Sequence, residues 1–405
     1  MASNKNNTWI KPRHNTLRNI LAPVIGLYTR LKFGIKPEKF QDQGDRQFLI
    51  IMNHQTSFDQ FFVSLSFRGP IYYIATEDLF SKGWISRAIS YIQAPIPIRK
   101  QTTDIKAVKD CDALLLGGGS LLQDRTSTRS ILYYLSMIHC AKRMGKRVVL
   151  YANGIGPVEK RRNRKRVKRA IDRVDLVTLR DRASAEELRE MGVTNPNIHV
   201  TADPVFCLDP ASDEASISLL EQAGLEADSR FVAVSVRKWP GSANFSEEMA
   251  AFCDDLRRTY NMEVLFLLMQ PEKDREAAQQ VRDAMEEPSY ILDVPCSALE
   301  LMGVLGKAKL CLAMRLHALI FAARMAVPAL GLVYDPKVEH YLRELEMPSA
   351  GDVSDFNREF AICKANELMA DYDAYVARMR EKSRELSAVA EQNEKLLWKL
   401  LEERG

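Results

Sequence analysis

The sequence lacks several features that would place it outside the soluble globular proteins. It has seven cysteines in 405 residues, an odd number, and no Cys-x-x-Cys pair. This pattern argues against a disulfide framework or a zinc site and favours reduced thiols in a cytosol. No apolar run approaches the ~20 residues that cross a bilayer. No small-residue cleavage pattern follows the short apolar stretch at 19–28, so we expect no signal peptide.

The sequence also has little excess of one charge sign over the other, since its formal net charge is only +4. A balance this mild does not predict nucleic-acid binding. Basic residues do flank the stretch at 19–28, namely Lys11, Arg13, Arg18, Arg30, Lys32 and Lys36. We therefore expect a cytoplasmic protein. Two interpretations of this segment stay open: peripheral contact with an anionic membrane surface at the inner face, or a packed terminal helix.

Short apolar runs alternate with amphipathic stretches from residue 47 onward. The predicted strands are 47–52, 71–75, 113–116, 148–152, 174–178, 231–236, 264–269, 310–313 and 329–332. The predicted helices are 128–144, 181–191, 246–260, 272–286, 298–306 and 316–325, followed by one or two long helices over 356–403. Strands that alternate with helices predict βαβ units and parallel sheets, hence the α/β class. A stretch rich in Pro, Asp and Ser at 203–215 predicts a link between two Rossmann-like domains.

The run NHQTSFD after the first predicted strand contains His54 and Asp59. A carboxylate that orients a histidine allows it to deprotonate a hydroxyl, although a capped helix start explains the same residues. With Asn53, ATEDLF at 75–80 and APIPIRK at 94–100, this segment resembles the front of a glycerolipid acyltransferase of the 1-acylglycerol-3-phosphate type. The resemblance implies that the histidine is the base and the aspartate orients it. The later Phe-Pro-Glu-Gly-Thr block of that family is absent here.

Two glycine-rich turns follow predicted strands in the next part of the chain. They contribute Gly118, Gly119 and Ser120 in the first case and Asn153 and Gly154 in the second. Because ligands collect at the carboxyl ends of parallel strands, these residues predict one crevice, to which we add Arg180 and Asp181. The alternative is tight turns with a helix cap and a salt bridge. The basic run at 160–169 is either a solvated helix face or a site for diphosphate or anionic lipid headgroups.

Cations follow three strands of the second series. Arg237 follows 231–236, Arg315 and His317 follow 310–313, and Lys337 follows 329–332. Arginine forks match carboxylates and phosphates, and a histidine beside them moves protons, so the pattern predicts an anion site in a crevice between the domains. Helix-start salt bridges and a packed helix histidine are the alternatives.

The blocks GGGSLLQD, YANGIGP, RDRAS, TADPVF, VSVRKW and MRLHALIFA occur in that order from about residue 110. They resemble the polysaccharide pyruvyl transferases. The resemblance implies two Rossmann-like domains similar to GT-B glycosyltransferases, and transfer of pyruvate from phosphoenolpyruvate to a cell-wall sugar as a ketal. It implies that Arg237, Arg315 and His317 line the donor site, with Leu316 nearby.

The predicted organisation is an acyltransferase-like α/β segment at 1–106 and Rossmann-like domains at 107–208 and 209–405. We expect 47–100 to continue the sheet that holds 113–116. The predicted function is pyruvyl transfer, with His317 as acid/base, Arg237 and Arg315 as catalytic and donor-binding cations, and Lys337 also at the donor. Expected partners are phosphoenolpyruvate and a lipid-linked or polymeric cell-wall sugar, without metal, cofactor or nucleic acid. The alternatives are 1-acylglycerol-3-phosphate acyl transfer by His54 and Asp59, and an inactive fusion.

Overall fold

The computed structural model describes residues 23, 48–51, 74–76, 96–98, 108–109, 111–125, 127–239 and 244–402. The chain divides into two compact units. The first comprises residues 1–179, 184–200 and 399–405, and the second comprises residues 180–183 and 201–398. Within the described residues, no helix is long and apolar enough to cross a membrane.

The described strands of the first unit are all parallel. They are β1 (Phe48–Ile51), β2 (Ile74–Thr76), β3 (Ile96–Ile98), β4 (Ala113–Gly117), β5 (Arg147–Asn153), β6 (Leu176–Leu179) and β7 (Ile198–Val200). Five of them form one sheet in the order β1-β4-β5-β6-β7. The expected continuity across residue 106 is confirmed for β1, which pairs with β4 from Phe48 opposite Ala113 to Ile51 opposite Leu116. It is wrong for β2 and β3, because among the described strands they pair with each other and not with this sheet.

Among the residues that the structure describes, the helices before residue 200 are α1 (Thr128–Arg143), α2 (Arg161–Ile171) and α3 (Arg182–Glu190). Helix α1 begins where the Ser127 hydroxyl accepts a hydrogen bond from the backbone N–H of Arg129 at 3.1 Å. Its buried residues recur three and four positions apart, as expected of a helix with one core-facing stripe: Ile131, Leu135, Met137, Ile138 and Ala141. The helix ends before Gly145, whose φ of +69° suits a helix C-terminus.

The second unit contains a six-stranded parallel sheet. Its strands are β8 (Phe231–Ser235), β9 (Glu263–Leu267), β10 (Tyr290–Leu292), β11 (Leu310–Ala313), β12 (Ala329–Val333) and β13 (Ser349–Asp352). The order across the sheet is β10-β9-β8-β11-β12-β13. Strand order therefore reverses at β8 and β11, as in a doubly wound Rossmann sheet. The carboxyl ends of these two strands mark the switch point, where such sheets bind ligands.

Eight helices of the described chain follow α3. They are α4 (Asp213–Ala223), α5 (Phe245–Tyr260), α6 (Pro271–Ala284), α7 (Ala298–Gly306), α8 (Leu316–Arg324), α9 (Pro336–Glu344), α10 (Arg358–Ala370) and α11 (Tyr372–Glu402). The predicted long helices over 356–403 are thus confirmed as α10 and α11. The stretch at 203–215, which the sequence predicts as a link between domains, contains helical elements. It holds a 3₁₀ helix at Pro204–Cys207, capped by Asp203, and the start of α4, capped by Ser212.

Candidate active site

Arg237 and Arg315 lie at the same edge of the second unit's sheet. Their strands are neighbours, with Ser235 of β8 paired to Ala313 of β11, and each arginine follows its strand by two residues. Met314 connects the two strand ends, because its backbone N–H donates to the Ser235 carbonyl at 2.8 Å and its sulfur accepts from the Arg237 N–H at 3.4 Å. The prediction that Arg237 and the start of α8 share one sheet edge is confirmed.

The Arg237 guanidinium lies against two aromatic rings. Its central carbon is 5.6 Å from the Trp239 ring centroid and 5.1 Å from that of Tyr334, and the two rings are 4.9 Å apart. Within the described chain, Arg237 forms no ion pair, and its buried Nε has no hydrogen-bond partner. Aromatic faces hold a cation without neutralising it. Arg237 is therefore a positioned positive charge with an unused donor, which suits an anionic ligand.

Arg315 is paired within the protein. Its Nε lies 3.1 and 3.2 Å from the two carboxylate oxygens of Asp274, and its Nη2 contacts the same group. Asp274 is fully buried in the first turn of α6 and also accepts a 2.8 Å hydrogen bond from the Gln270 N–H. The helix-start salt bridge that the sequence left open is thus present. Asp274 occupies the Nε–Nη2 edge of the guanidinium, so the Nη1–Nη2 edge stays available for a ligand.

His317 lies in the first turn of α8, two residues after the N-cap residue Arg315. The ring is partly buried and makes no hydrogen bond to a described residue. Burial, together with the guanidinium groups of Arg180 and Arg315, lowers its pKa below 6.5, although the Asp203 carboxylate acts in the opposite direction. The imidazole is therefore neutral at neutral pH. Leu316 is the first residue of α8, and Lys337 is the second of α9; the Lys337 side chain lies outside the described residues.

Arg180 and Asp181 belong to the second unit, not to the glycine-rich part of the first unit with which the sequence grouped them. Arg180 is 6% exposed and donates from Nη1 to Asp203 at 3.1 Å, and its Nε lies 3.7 Å from an Asp181 oxygen. The buried Tyr341 ring lies 5.9 Å from its central carbon. Asp203 also accepts from the Val205 N–H. These residues therefore form a buried network whose charges act on His317.

The sequence did not single out Asp203, Asp274, Tyr334 or Tyr341. Asp203 had a recognisable signal, because an Asp before Pro often caps a short helix, and it does so here. Asp274 had none, since acidic residues are common in the first turn of a helix. Asp274 is 0% exposed, and its counter-ion Arg315 lies 41 residues away in the chain, so no local pattern shows the pair.

The two glycine-rich strand ends of the first unit are neighbours, as predicted. The Gly154 N–H donates to the Gly119 carbonyl at 2.9 Å, and the Gly118 N–H donates to the Tyr151 carbonyl at 3.3 Å. Asn153 is fully buried and donates from Nδ2 to the Leu116 carbonyl at 2.6 Å. Its Oδ1 is buried and has no hydrogen-bond partner among the residues that the structure describes. Ser120 is partly exposed beside Gly119. His54 and Asp59 lie outside the described residues.

Comparison with known families tests the pyruvyl transferase resemblance. The family model described as polysaccharide pyruvyl transferase matches residues 40–336, well over half of the chain. The chain belongs to the polysaccharide pyruvyl transferase family. The match begins well ahead of residue 110, so it includes the segment with acyltransferase-like motifs, and the acyltransferase resemblance stays a prediction.

A curated relative is also similar to this pyruvyl transferase family member. The amylovoran biosynthesis protein AmsJ of Erwinia amylovora is 25% identical over 306 residues, which cover 70% of this chain and 72% of AmsJ. Together with the family match, this likeness shows a transferase that acts in polysaccharide modification.

Solved structures of low identity share the fold. Anabaena HepE in complex with UDP is 11% identical, with a TM-score of 0.52 over 80% of this chain and 90% of HepE. The UDP-GlcNAc 2-epimerase of Neisseria meningitidis, bound to UDP-GlcNAc, is 12% identical, with a TM-score of 0.50 over 78% of this chain and 88% of the epimerase. At these identities the likeness shows the fold alone. The pyruvyl transferase thus has two Rossmann-like domains of the GT-B type, as predicted.

Proposed function

We propose that this protein transfers the pyruvyl group of phosphoenolpyruvate to a cell-wall polysaccharide sugar as a ketal, and that its second unit binds the donor. The observation that carries the proposal is the Arg237 guanidinium, a cation held by two rings and not neutralised by any described acid. It lies at the switch point of the sheet, at the edge where α8 begins with Arg315 and His317. A small dianionic or trianionic donor fits such a site.

In this proposal, Arg237, Arg315 and Lys337 have different roles in binding the donor. Arg237 binds the donor carboxylate or phosphate directly, since its Nε has no other partner. Arg315 is fixed by Asp274, so it contributes its remaining Nη1–Nη2 edge and a positioned charge. Preorganised charges of this kind stabilise a transition state because they need no rearrangement during the reaction. Lys337, the second residue of α9, is the third donor-binding cation of this proposal.

The reaction requires a proton at the methylene carbon of the donor and the loss of protons from two sugar hydroxyls. Protonation converts the methylene to a methyl group and leaves an oxocarbenium-like centre, which the first hydroxyl attacks. The phosphate then leaves as the C–O bond breaks, and the second hydroxyl closes the ketal. One hydroxyl proton replaces the proton given to carbon, and the other departs with inorganic phosphate. We assign the proton transfers to His317.

The acceptor site is the second part of the proposal. We place it at the glycine-rich strand ends of the first unit: Gly118, Gly119, Ser120, Asn153 and Gly154. Backbone that carries no side chain allows a sugar to approach closely. The unpartnered Asn153 Oδ1 is an acceptor for a sugar hydroxyl. Arg180 and Asp181, first grouped with this crevice, act instead through His317 in this proposal.

The test is phosphate release from phosphoenolpyruvate in the presence of a lipid-linked amino sugar. His317→Ala should lower the rate by about 10²–10⁴, as for loss of a general acid or base. His54→Ala and the exposed-residue control His139→Ala should leave it unchanged. Arg237→Ala should remove phosphoenolpyruvate binding in calorimetry. Unchanged donor binding in Arg237→Ala would contradict the donor site, and acylation of lysophosphatidate from acyl-CoA would favour the acyltransferase alternative.

A further inference from the structure

Helix α2 of the first unit has a charge pattern that the proposed reaction does not use. At about 100° per residue, its exposed cations fall within an arc of about 140°: Arg161, Arg162, Lys165, Arg166 and Arg169. The buried residues Asn163, Val167 and Ile171 lie within about 80° on the opposite side. One face of α2 therefore packs on the core, and the other is a basic stripe. The helix itself contains no acidic residue.

Neighbouring acids neutralise only the margins of this stripe. Arg164 pairs with Glu187 at 2.9 Å, and Lys168 pairs with Asp172 at 2.6 Å. Arg166 donates to the Asn163 side chain. In the described part of the chain, no acid pairs with the four remaining cations, Arg161, Arg162, Lys165 and Arg169.

Exposed cations of the second unit offer a contrast. Arg258, Arg378 and Lys395 are also exposed and Arg282 is partly exposed, yet each lies within 4 Å of a carboxylate. Their local charge is balanced, whereas that of the α2 stripe is not. The stripe is therefore a local concentration of positive charge rather than an ordinary solvated helix face.

The shape and composition of the stripe restrict what it binds. Helix α2 has 11 residues and is about 16 Å long, so its cations spread along a line and do not converge on one small ligand. The stripe has no aromatic side chain on which bases would stack, which disfavours single-stranded nucleic acid. It has no exposed apolar residue to insert into acyl chains, so the attraction is electrostatic.

We propose that this α2 stripe adsorbs the protein to an anionic phospholipid surface through Arg161, Arg162, Lys165 and Arg169. Each basic residue near such a surface adds to the attraction, and the sum falls off within a Debye length. Binding is thus reversible and sensitive to salt.

The experiment is co-sedimentation with vesicles of phosphatidylcholine, with or without one third phosphatidylglycerol. The test variant combines Arg161→Gln, Arg162→Gln, Lys165→Gln and Arg169→Gln. The control variant combines Arg258→Gln, Arg282→Gln, Arg378→Gln and Lys395→Gln. Each variant therefore loses four positive charges, which lowers the formal net charge from +4 by the same amount. We expect wild type and control to bind the anionic vesicles in dilute buffer, and the test variant to bind at least about tenfold more weakly. Salt at about 1 M, where the Debye length is about 3 Å, should release the wild type.

Several results would overturn the proposal. One such result is equal vesicle binding by the wild type and the α2 variant. Another is an equal loss of vesicle binding in the test and control variants, which would assign the effect to net charge alone. Wild-type binding that ignores phosphatidylglycerol would also refute it. Release from vesicles by millimolar inorganic pyrophosphate would mark a site for soluble phosphates. Tighter binding to an oligonucleotide than to the vesicles would assign the stripe to nucleic acid.

Discussion

Arg315 and Asp274 form a bidentate ion pair in which the carboxylate is fully buried and the arginine side chain is 12% exposed. The pair joins the start of α8 to the first turn of α6. It holds the guanidinium beside the switch point of the sheet. The same contact partly neutralises the charge that Arg315 presents to a ligand. The affinity of this site for anions therefore depends on Asp274 as well as on Arg315.

We predict that Asp274→Ala lowers the free energy of unfolding by about 3–5 kcal/mol, because it leaves a largely buried guanidinium without a counter-charge. The combined change Arg315→Met and Asp274→Leu should lower it less, since no unpaired charge is left. Urea denaturation of both variants measures the difference. Glu276→Ala, which breaks an exposed pair on the same helix, is the control and should change stability by less than about 1 kcal/mol. A combined variant that loses more free energy of unfolding than Asp274→Ala would contradict this interpretation.

Binding of phosphoenolpyruvate should be coupled to proton uptake. The pKa of His317 is lowered in the free protein by burial and by two guanidinium groups, so the ring is neutral at neutral pH. An anionic donor beside it raises that pKa again. Calorimetry in buffers of different ionisation enthalpy should therefore report uptake of up to about one proton, and affinity should fall as the pH rises. His317→Gln should abolish the uptake; uptake that persists in this variant would place the proton elsewhere.

The pH dependence of stability should reveal Glu344. Burial, and then the charge of Asp181, raise its pKa from 4.5 to about 7. A raised carboxyl pKa stabilises the folded state fully below the unfolded value of 4.5, and this contribution is lost as the pH rises through about 7. Glu344→Gln stays neutral, so it should be more stable than wild type by about 1–3 kcal/mol at about pH 8, the lower end allowing for solvent screening of this partly exposed group, and equal to it at about pH 4. Thermal denaturation at both pH values measures this. The exposed residue Glu339 of the same helix provides the control, Glu339→Gln, for which the wild-type pH dependence should persist.

Gly118→Ala tests the acceptor site. A Cβ at this position would meet no atom of the described residues within 4 Å, so the methyl group projects toward the place where we put the sugar. With φ at +75°, the substitution also strains the backbone by roughly 1–2 kcal/mol. We expect the KM for the acceptor to rise while calorimetric binding of phosphoenolpyruvate stays the same.

The matched control for that strain is Gly145→Ala at the end of α1. Gly145 has a similar φ of +69° and equally open space around its Cβ position. It should lose similar stability in thermal denaturation and keep the KM of the wild type. If the two variants behave alike in kinetics, the glycine-rich strand ends do not hold the acceptor.

Much of the fold was predictable because central parallel strands are apolar throughout. Strands such as β8 (FVAVS) and β11 (LCLA) are buried at every position, and their ends could be read from the first polar residue. The short strands β3, β7, β10 and β13 were missed. β13 has the sequence SAGD, which carries no β-branched or aromatic residue, and only its pairing with β12 makes it a strand.

The sequence by itself determined which cations follow which strands. Arg237, Arg315 and His317 each come directly after a buried apolar run, and the local pattern of a βαβ unit is enough to place them at a strand end. Only the tertiary structure decided what each of them contacts. Asp274 lies 41 residues from Arg315, and Arg180 lies 23 residues from Asp203, yet these partners neutralise one arginine and set the electrostatic field of the histidine. Strand order brings such partners together, and no periodicity in a single segment encodes it, because long-range pairing depends on how the whole sheet assembles.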